Sequence, residues 1–229
     1  HGKTTMSPQL FQRQLAAGAW GITFANVFQL RLGVVAGVRR AIIANQVQTE
    51  ADLAGLARLL HETPGLRVLF LVDSLEQLAQ IEAWRATRAT APVFEVLLEV
   101  GVAGGRTGVR LHDDALALAQ RLRGSTAVRL VGIECYEGLG VTGDTATDDA
   151  SAASLMARVS ALATACDDAG LFEDDEVVIS AGGSAIFDLV ASRMRLNLRR
   201  PVRGVLRSGC YVTHDHGHYR RMLDQVVQR

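Results

Sequence analysis

Two hydrophobic periods alternate along the whole chain. Short, nearly unbroken apolar runs at residues 22–25, 41–44, 68–72, 93–100, 128–135, 177–180 and 202–206 read as buried strands. Between them, apolar positions recur every three or four residues, the spacing that places them on one face of a helix. Ser7-Pro8 starts such a segment, with Leu10, Phe11 and Leu15 inside it and Gly18 closing it. Residues 27–35 form the next and end near Gly37. Thr49 caps a helix with Leu53, Leu56, Leu59 and Leu60 on its inner face, broken at Thr63-Pro64-Gly65. Ser74 caps one that runs through Leu78, Ile81 and Trp84. Further helices are predicted at 111–122, 154–169 and 186–194, with a long loop at 138–150.

Strands that alternate with helices imply a parallel sheet covered by helices. An open doubly wound sheet and a (β/α)8 TIM-type barrel both satisfy the pattern. The chain opens on a helix, so a strand before His1 would complete eight, and the barrel is the expected fold. The first strand then lies outside this chain, which begins at His1 and reads as a piece of a longer protein.

Composition narrows the class. The chain has 229 residues, 48% of them hydrophobic and 21% charged, enough for one large folded core. Its formal net charge is zero, which points away from nucleic-acid and membrane-surface partners. No apolar run is long enough for a spanning helix, and no signal peptide is evident. Cys135, Cys166 and Cys210 are widely spaced and form no CxxC pair, so a reduced, cytoplasmic setting is expected.

The chemistry begins at Lys3. It is the single lysine, and the rest of the 24 basic residues are arginine. A lysine amine can lose its proton and attack a carbonyl, whereas a guanidinium effectively cannot. A Schiff base to pyridoxal 5'-phosphate (PLP) is the commonest use of that ability. In a barrel Lys3 falls at the end of the missing first strand, buried in the mouth where barrels place their chemistry. Polar and glycine residues follow the other strands: Asn45-Gln46, Asp73-Ser74, the stretch from Gly101 to Arg106, Tyr136-Glu137-Gly138, Ala181 to Ser184, and Ser208 to Tyr211. Gly182-Gly183-Ser184 runs into a predicted helix near Ala185, so its backbone N–H groups suit an anion. Gly209 and Cys210 follow the last strand and should face the same point, a frequent phosphate position in barrels. Arg106 is placed to hold a cofactor oxygen through a charge-assisted hydrogen bond. His214-Asp215-His216-Gly217-His218 invites a zinc reading, yet nothing completes the ligand set, and no metal is expected there.

In this order the motifs resemble those of the D-threonine aldolase and D-serine dehydratase family, fold-type III PLP enzymes with an alanine racemase-like barrel. His1-Gly2-Lys3-Thr4 is similar to the family's H-x-K-T motif, whose lysine carries PLP. Gly18 to Gly21 and Ala44-Asn45-Gln46 resemble its next two strand regions. The stretch from Glu99 to Gly108 resembles E-V-D-x-G-x-x-R-x-G; its arginine, here Arg106, contacts the phenolic oxygen, and Gly101 stands where the family has aspartate. Tyr136-Glu137-Gly138 resembles an active-site tyrosine motif. Residues Ser180 to Ser184 and Arg207 to Tyr211 resemble its two phosphate loops, with Ser208 in place of a usual proline.

The resemblance implies a catalytic Lys3 and a PLP site built from Lys3, Arg106, Tyr136, Gly183, Ser184, Gly209 and Cys210. It also implies a barrel over residues 1–213, then an exit segment and helix at 214–229 leading to an absent C-terminal β domain. That domain would carry the divalent metal, zinc or manganese. The implied activity is that of a lyase on a D-3-hydroxy amino acid, with D-serine deamination the first choice. Aldol cleavage of the D-threonine type is second and racemisation third, and a non-catalytic PLP-binding protein is the contrasting class. A homodimer acting on a small D-amino acid is expected.

Overall fold

A computed structural model describes residues 1–138, 140–183, 185–210, 212–213 and 216–228. Seven strands alternate with helices: α1 (Pro8–Ala16), β1 (Ile22–Phe24), α2 (Val27–Val35), β2 (Arg40–Gln46), α3 (Glu50–Glu62), β3 (Arg67–Val72), α4 (Leu75–Ala86) and β4 (Phe94–Val100). Then come α5 (His112–Arg123), β5 (Val128–Cys135), α6 (Thr145–Asp168), β6 (Val177–Ala181), α7 (Phe187–Ala191) with a 3-10 turn at Ser192–Met194, β7 (Val202–Leu206) and α8 (His218–Gln228).

All neighbouring strands pair in parallel, in the order β1-β2-β3-β4-β5-β6-β7. A doubly wound sheet reverses its strand order at a switch point. Here each strand lies beside its predecessor throughout, which is barrel winding. Side chains explain the curl. Ala41, Ile43, Val68, Phe70, Val72, Val96 and Leu98 pack outward into the helix layer. Their alternates Ile42, Leu69, Leu71, Leu97, Val131 and Val178 meet one another in a second cluster, joined by Trp20, Ala44 and Val205. Residues of six strands can share one inner cluster only if the sheet bends around it. Each fully buried side chain of this kind contributes about 1.5–3 kcal/mol. The sheet is a seven-stranded part-barrel. Between β1 and β7 lies a cavity of about 310 Å³ lined by both, including Ile22, Thr23, Ile42, Gly204 and Val205.

Capping fixes the helix starts. Asn26 accepts from Gln29 N–H at 2.9 Å, Thr49 from Asp52 at 3.1 Å and Ser74 from Gln77 at 3.3 Å. The expected long loop at 138–150 is shorter than the composition suggested, because α6 begins at Thr145. Asp144 caps it by accepting from Thr147 N–H at 2.8 Å, and the buried Asp148 carboxylate accepts from the N–H groups of Thr142 and Gly143. These bonds run from side chain to backbone, so no apolar period announces them. The two poles of the sheet differ. At the strand starts Arg67 and Arg129 share the Glu95 carboxylate, and Arg67 also pairs with Asp174. The strand ends carry the polar loops, as expected of a barrel whose chemistry sits at that pole.

Candidate active site

The strand ends meet the opening turn around a part-open cavity of about 100 Å³. Its lining includes Lys3, Arg106, Tyr136, Gly183, Gly209 and Cys210. Six of the seven expected site residues are therefore together; the seventh, Ser184, lies outside the described residues, as do His214 and Asp215 of the histidine run.

Lys3 is placed by its neighbours. Gly2 N–H donates to the Thr23 carbonyl at 2.8 Å, which ties the turn alongside β1. A Cβ on Gly2 would lie 2.7 Å from the Phe24 ring and 2.9 Å from the Phe11 ring, so only glycine fits. Met6 N–H closes the turn on the Gly2 carbonyl at 2.9 Å, with Met6 in the left-handed region at φ 42°. The Gln29 side chain donates to the Lys3 carbonyl at 3.4 Å. The backbone is anchored while the Lys3 side chain is exposed, not buried as a position deep in a barrel mouth would require. The turn stands on the rim, which leaves the amine at the cavity edge.

Arg106 lies over the Tyr136 ring, its guanidinium carbon 5.4 Å from the centroid. Burial pushes the Tyr136 phenol up, the Glu137 charge adds to this, and Arg106 and Arg207 oppose it. The β4–α5 loop that carries Arg106 is shaped by Arg110, which donates to the carbonyls of Gly105, Thr107 and Gly108.

Three charged residues in the site went unassigned from sequence. Arg207 lines the cavity and donates to Ser180 Oγ at 2.8 Å, to the Cys135 carbonyl at 2.7 Å and to Glu134. Glu134 is fully buried, and its Oε2 has no hydrogen-bond partner among the described residues. Burial raises its carboxyl from 4.5 to about 8, against the opposing pull of Arg207. Glu137, 8% exposed, accepts from Gly182 N–H at 3.0 Å and from Gly183 N–H. The Gly183 N–H thus turns to the Glu137 carboxylate in this structure, while Gly183 itself still lines the cavity. The helix after this loop also starts at Phe187 rather than near Ala185 and has only five residues. A carboxylate inside the apolar run 128–135 was the available signal for Glu134. Arg207 opens the second phosphate-loop motif, but the motif gave it no ion-pair partner. Tyr219, from α8, also lines the cavity although its segment reads as an exit.

The donor set suits an anionic cofactor. Lys3, Arg106 and Arg207 bring cationic groups to one cavity, with backbone from two glycine loops. The His1 ring packs on Gly209, where an added Cβ would lie 2.8 Å from Nδ1, and Nδ1 itself is buried without a hydrogen-bond partner among the described residues. Such an orphaned polar atom beside a cavity is consistent with a ligand contact. Among the described residues no group of three or more His, Cys, Asp or Glu could hold a metal ion.

The chain is 33% identical over 191 residues to a D-threonine aldolase of an Arthrobacter species, covering 82% of this chain and 48% of that protein. The crystal structure of D-threonine aldolase from Filomicrobium marinum superposes with a TM-score of 0.74 at 25% identity, covering 96% of this chain and 56% of that one. D-threo-3-hydroxyaspartate dehydratase from Delftia sp. HT23 shares the fold, with a TM-score of 0.68, 24% identity, and coverage of 97% and 54%. The chain thus spans about half the length of these relatives. Residues 9–204 match the family described as the alanine racemase N-terminal domain, and the chain belongs to that family.

Proposed function

We propose that this chain is the PLP-binding barrel, residues 1–213, of a lyase acting on a D-3-hydroxy amino acid. The carrying observation is the convergence of the single lysine, Arg106, Arg207 and two glycine loops on one cavity. Lys3 would hold the cofactor covalently. Gly183, Ser184, Gly209 and Cys210 would meet its phosphate, and Arg106 beside Tyr136 would hold its phenolic oxygen. The cofactor, when bound, supplies the electron sink that makes bonds to the substrate's α carbon breakable. Lys3, released from it by substrate, would carry the proton at the α carbon.

Between the two leading reactions, the relative at 33% identity favours aldol cleavage over the D-serine deamination preferred on motifs alone. The reading includes a homodimer in a reducing cytoplasm. It also includes a divalent metal held by a domain beyond Arg229, acting on the 3-hydroxyl as a Lewis acid. Cys135 and Cys166 are free, buried thiols, in keeping with that setting. Among the described residues no helix is long and apolar enough to cross a membrane.

The test uses the protein at its natural length. With PLP it should turn yellow, and borohydride should remove the absorbance and fix the label on Lys3. D-threonine should yield glycine and acetaldehyde; pyruvate and ammonia from D-serine would return the assignment to deamination. Lys3→Arg keeps the charge, cannot form the imine, and should abolish turnover with the fold intact. Turnover by Lys3→Arg near the wild-type rate would remove Lys3 from the mechanism.

A further inference from the structure

We propose that Glu137 and Ser208 are positioning residues that hold the Gly182-Gly183 loop in the shape that receives the cofactor's phosphate, an inference that rests on the cofactor reading above. Four observations carry it. First, the dipeptide is clamped on both sides. Glu137, just past β5, accepts from the N–H groups of Gly182 and Gly183. Ser208, just past β7, brings its hydroxyl 3.3 Å from the Gly182 carbonyl and 3.5 Å from the Gly183 carbonyl. Both N–H donors of the loop after β6 are thus met from one side, and the single Ser208 O–H is shared between its two carbonyls from the other.

Second, Glu137 and Ser208 are each only 8% exposed, so water competes little for these bonds. Third, Gly182 and Gly183 line the cavity while Glu137 does not. The carboxylate lies behind the loop and acts through it. Fourth, Gly182 has φ +105°, a conformation that glycine adopts freely but does not maintain unaided. A carboxylate accepting two successive N–H groups removes that freedom. The loop also packs on the residues flanking Glu137. A Cβ on Gly183 would lie 3.1 Å from Gly138 Cα and 3.2 Å from the Tyr136 ring. Tyr136 and the loop are therefore held as one unit.

The experiment compares PLP with pyridoxal, which has the same ring and aldehyde but no phosphate. Both dissociation constants are read from imine absorbance for the natural-length protein and for Glu137→Gln. A glutamine amide has one acceptor and one donor group, so it cannot accept from both N–H groups as the carboxylate does. Glu137→Gln should weaken PLP about tenfold and leave pyridoxal within about twofold. Ser208→Ala should move the same ratio in the same direction by about threefold, and it carries the test if Glu137→Gln does not fold. Equal weakening of both ligands would make the role merely structural and overturn the proposal. So would an unchanged PLP affinity. Tighter PLP binding would also overturn it, by showing that the carboxylate competes with the phosphate. If wild-type protein forms no borohydride-reducible adduct with either ligand, the cofactor reading itself falls and this inference with it.

Discussion

Gly101 shows how one residue can shape the loop that carries Arg106. The related motif has aspartate here. In this chain a Cβ at 101 would run into the Arg110 guanidinium and the Thr107 carbonyl. The guanidinium occupies that space because the loop points carbonyls inward, and it satisfies those of Gly105, Thr107 and Gly108. Arg158 adds a bond to the Gly101 carbonyl at 2.7 Å. The missing carboxylate is thus accompanied by an arginine that fills its place. Gly101→Asp is expected to destabilise the protein by about 1–3 kcal/mol through overpacking, read as a lowered urea midpoint. Removing the Arg110 side chain as well should recover only part of the loss, since the Thr107 carbonyl still blocks the site. Unchanged stability of the single variant would contradict this packing.

Helix α2 links sequence-local capping to the lysine turn. Its Asn26 cap accepts from Gln29 N–H, and the Gln29 side chain accepts from Ala25 N–H at 2.9 Å while donating to the Lys3 carbonyl. Asn26→Ala removes an N-cap bond and is expected to cost about 1 kcal/mol. Chemical denaturation measures it directly, and a variant as stable as wild type would show that the cap contributes nothing. The same helix start borders the turn that presents Lys3. Fraying there should also raise the backbone exchange rate of the first six residues, observable by hydrogen exchange.

At the scale of the molecule, the buried charges under the strand ends make stability depend on pH. Glu134 has its folded value raised from 4.5 to about 8, chiefly by burial. Glu99, which accepts from Gln46 and Thr107, is raised in the same direction and for the same first cause. A raised carboxyl means that the folded state keeps a proton the unfolded state releases. The associated stability is fully present below the unfolded value and is lost as pH rises through the folded one. Melting temperature should therefore fall as pH rises from about 4.5 to about 8. Glu134→Gln, which keeps an acceptor for Arg207 but cannot ionise, should flatten that slope. An equally steep slope in Glu134→Gln would assign the effect elsewhere.

Local pattern carried most of the architecture. The seven strands fall within two residues of their apolar runs; a strand buried on both faces must be largely apolar, although β7, at the end of the strand order, is exposed or half-buried along its length. The caps Ser7, Thr49 and Ser74 act across three residues, a range that sequence spacing states outright. Six of the expected residues line one cavity because strand-end loops of a barrel converge whatever their separation along the chain. Other features depend on long-range pairing. The Arg207–Glu134 contact joins residues 73 apart, and Glu137 reaches Gly182 across 45. Only the curl of the sheet decides which acid meets which base, and hence that the N–H of Gly183 turns to a carboxylate. The choice between a doubly wound sheet and barrel winding was of the same kind. Helical and strand periods are identical in the two, and the difference lies in which neighbour each strand takes.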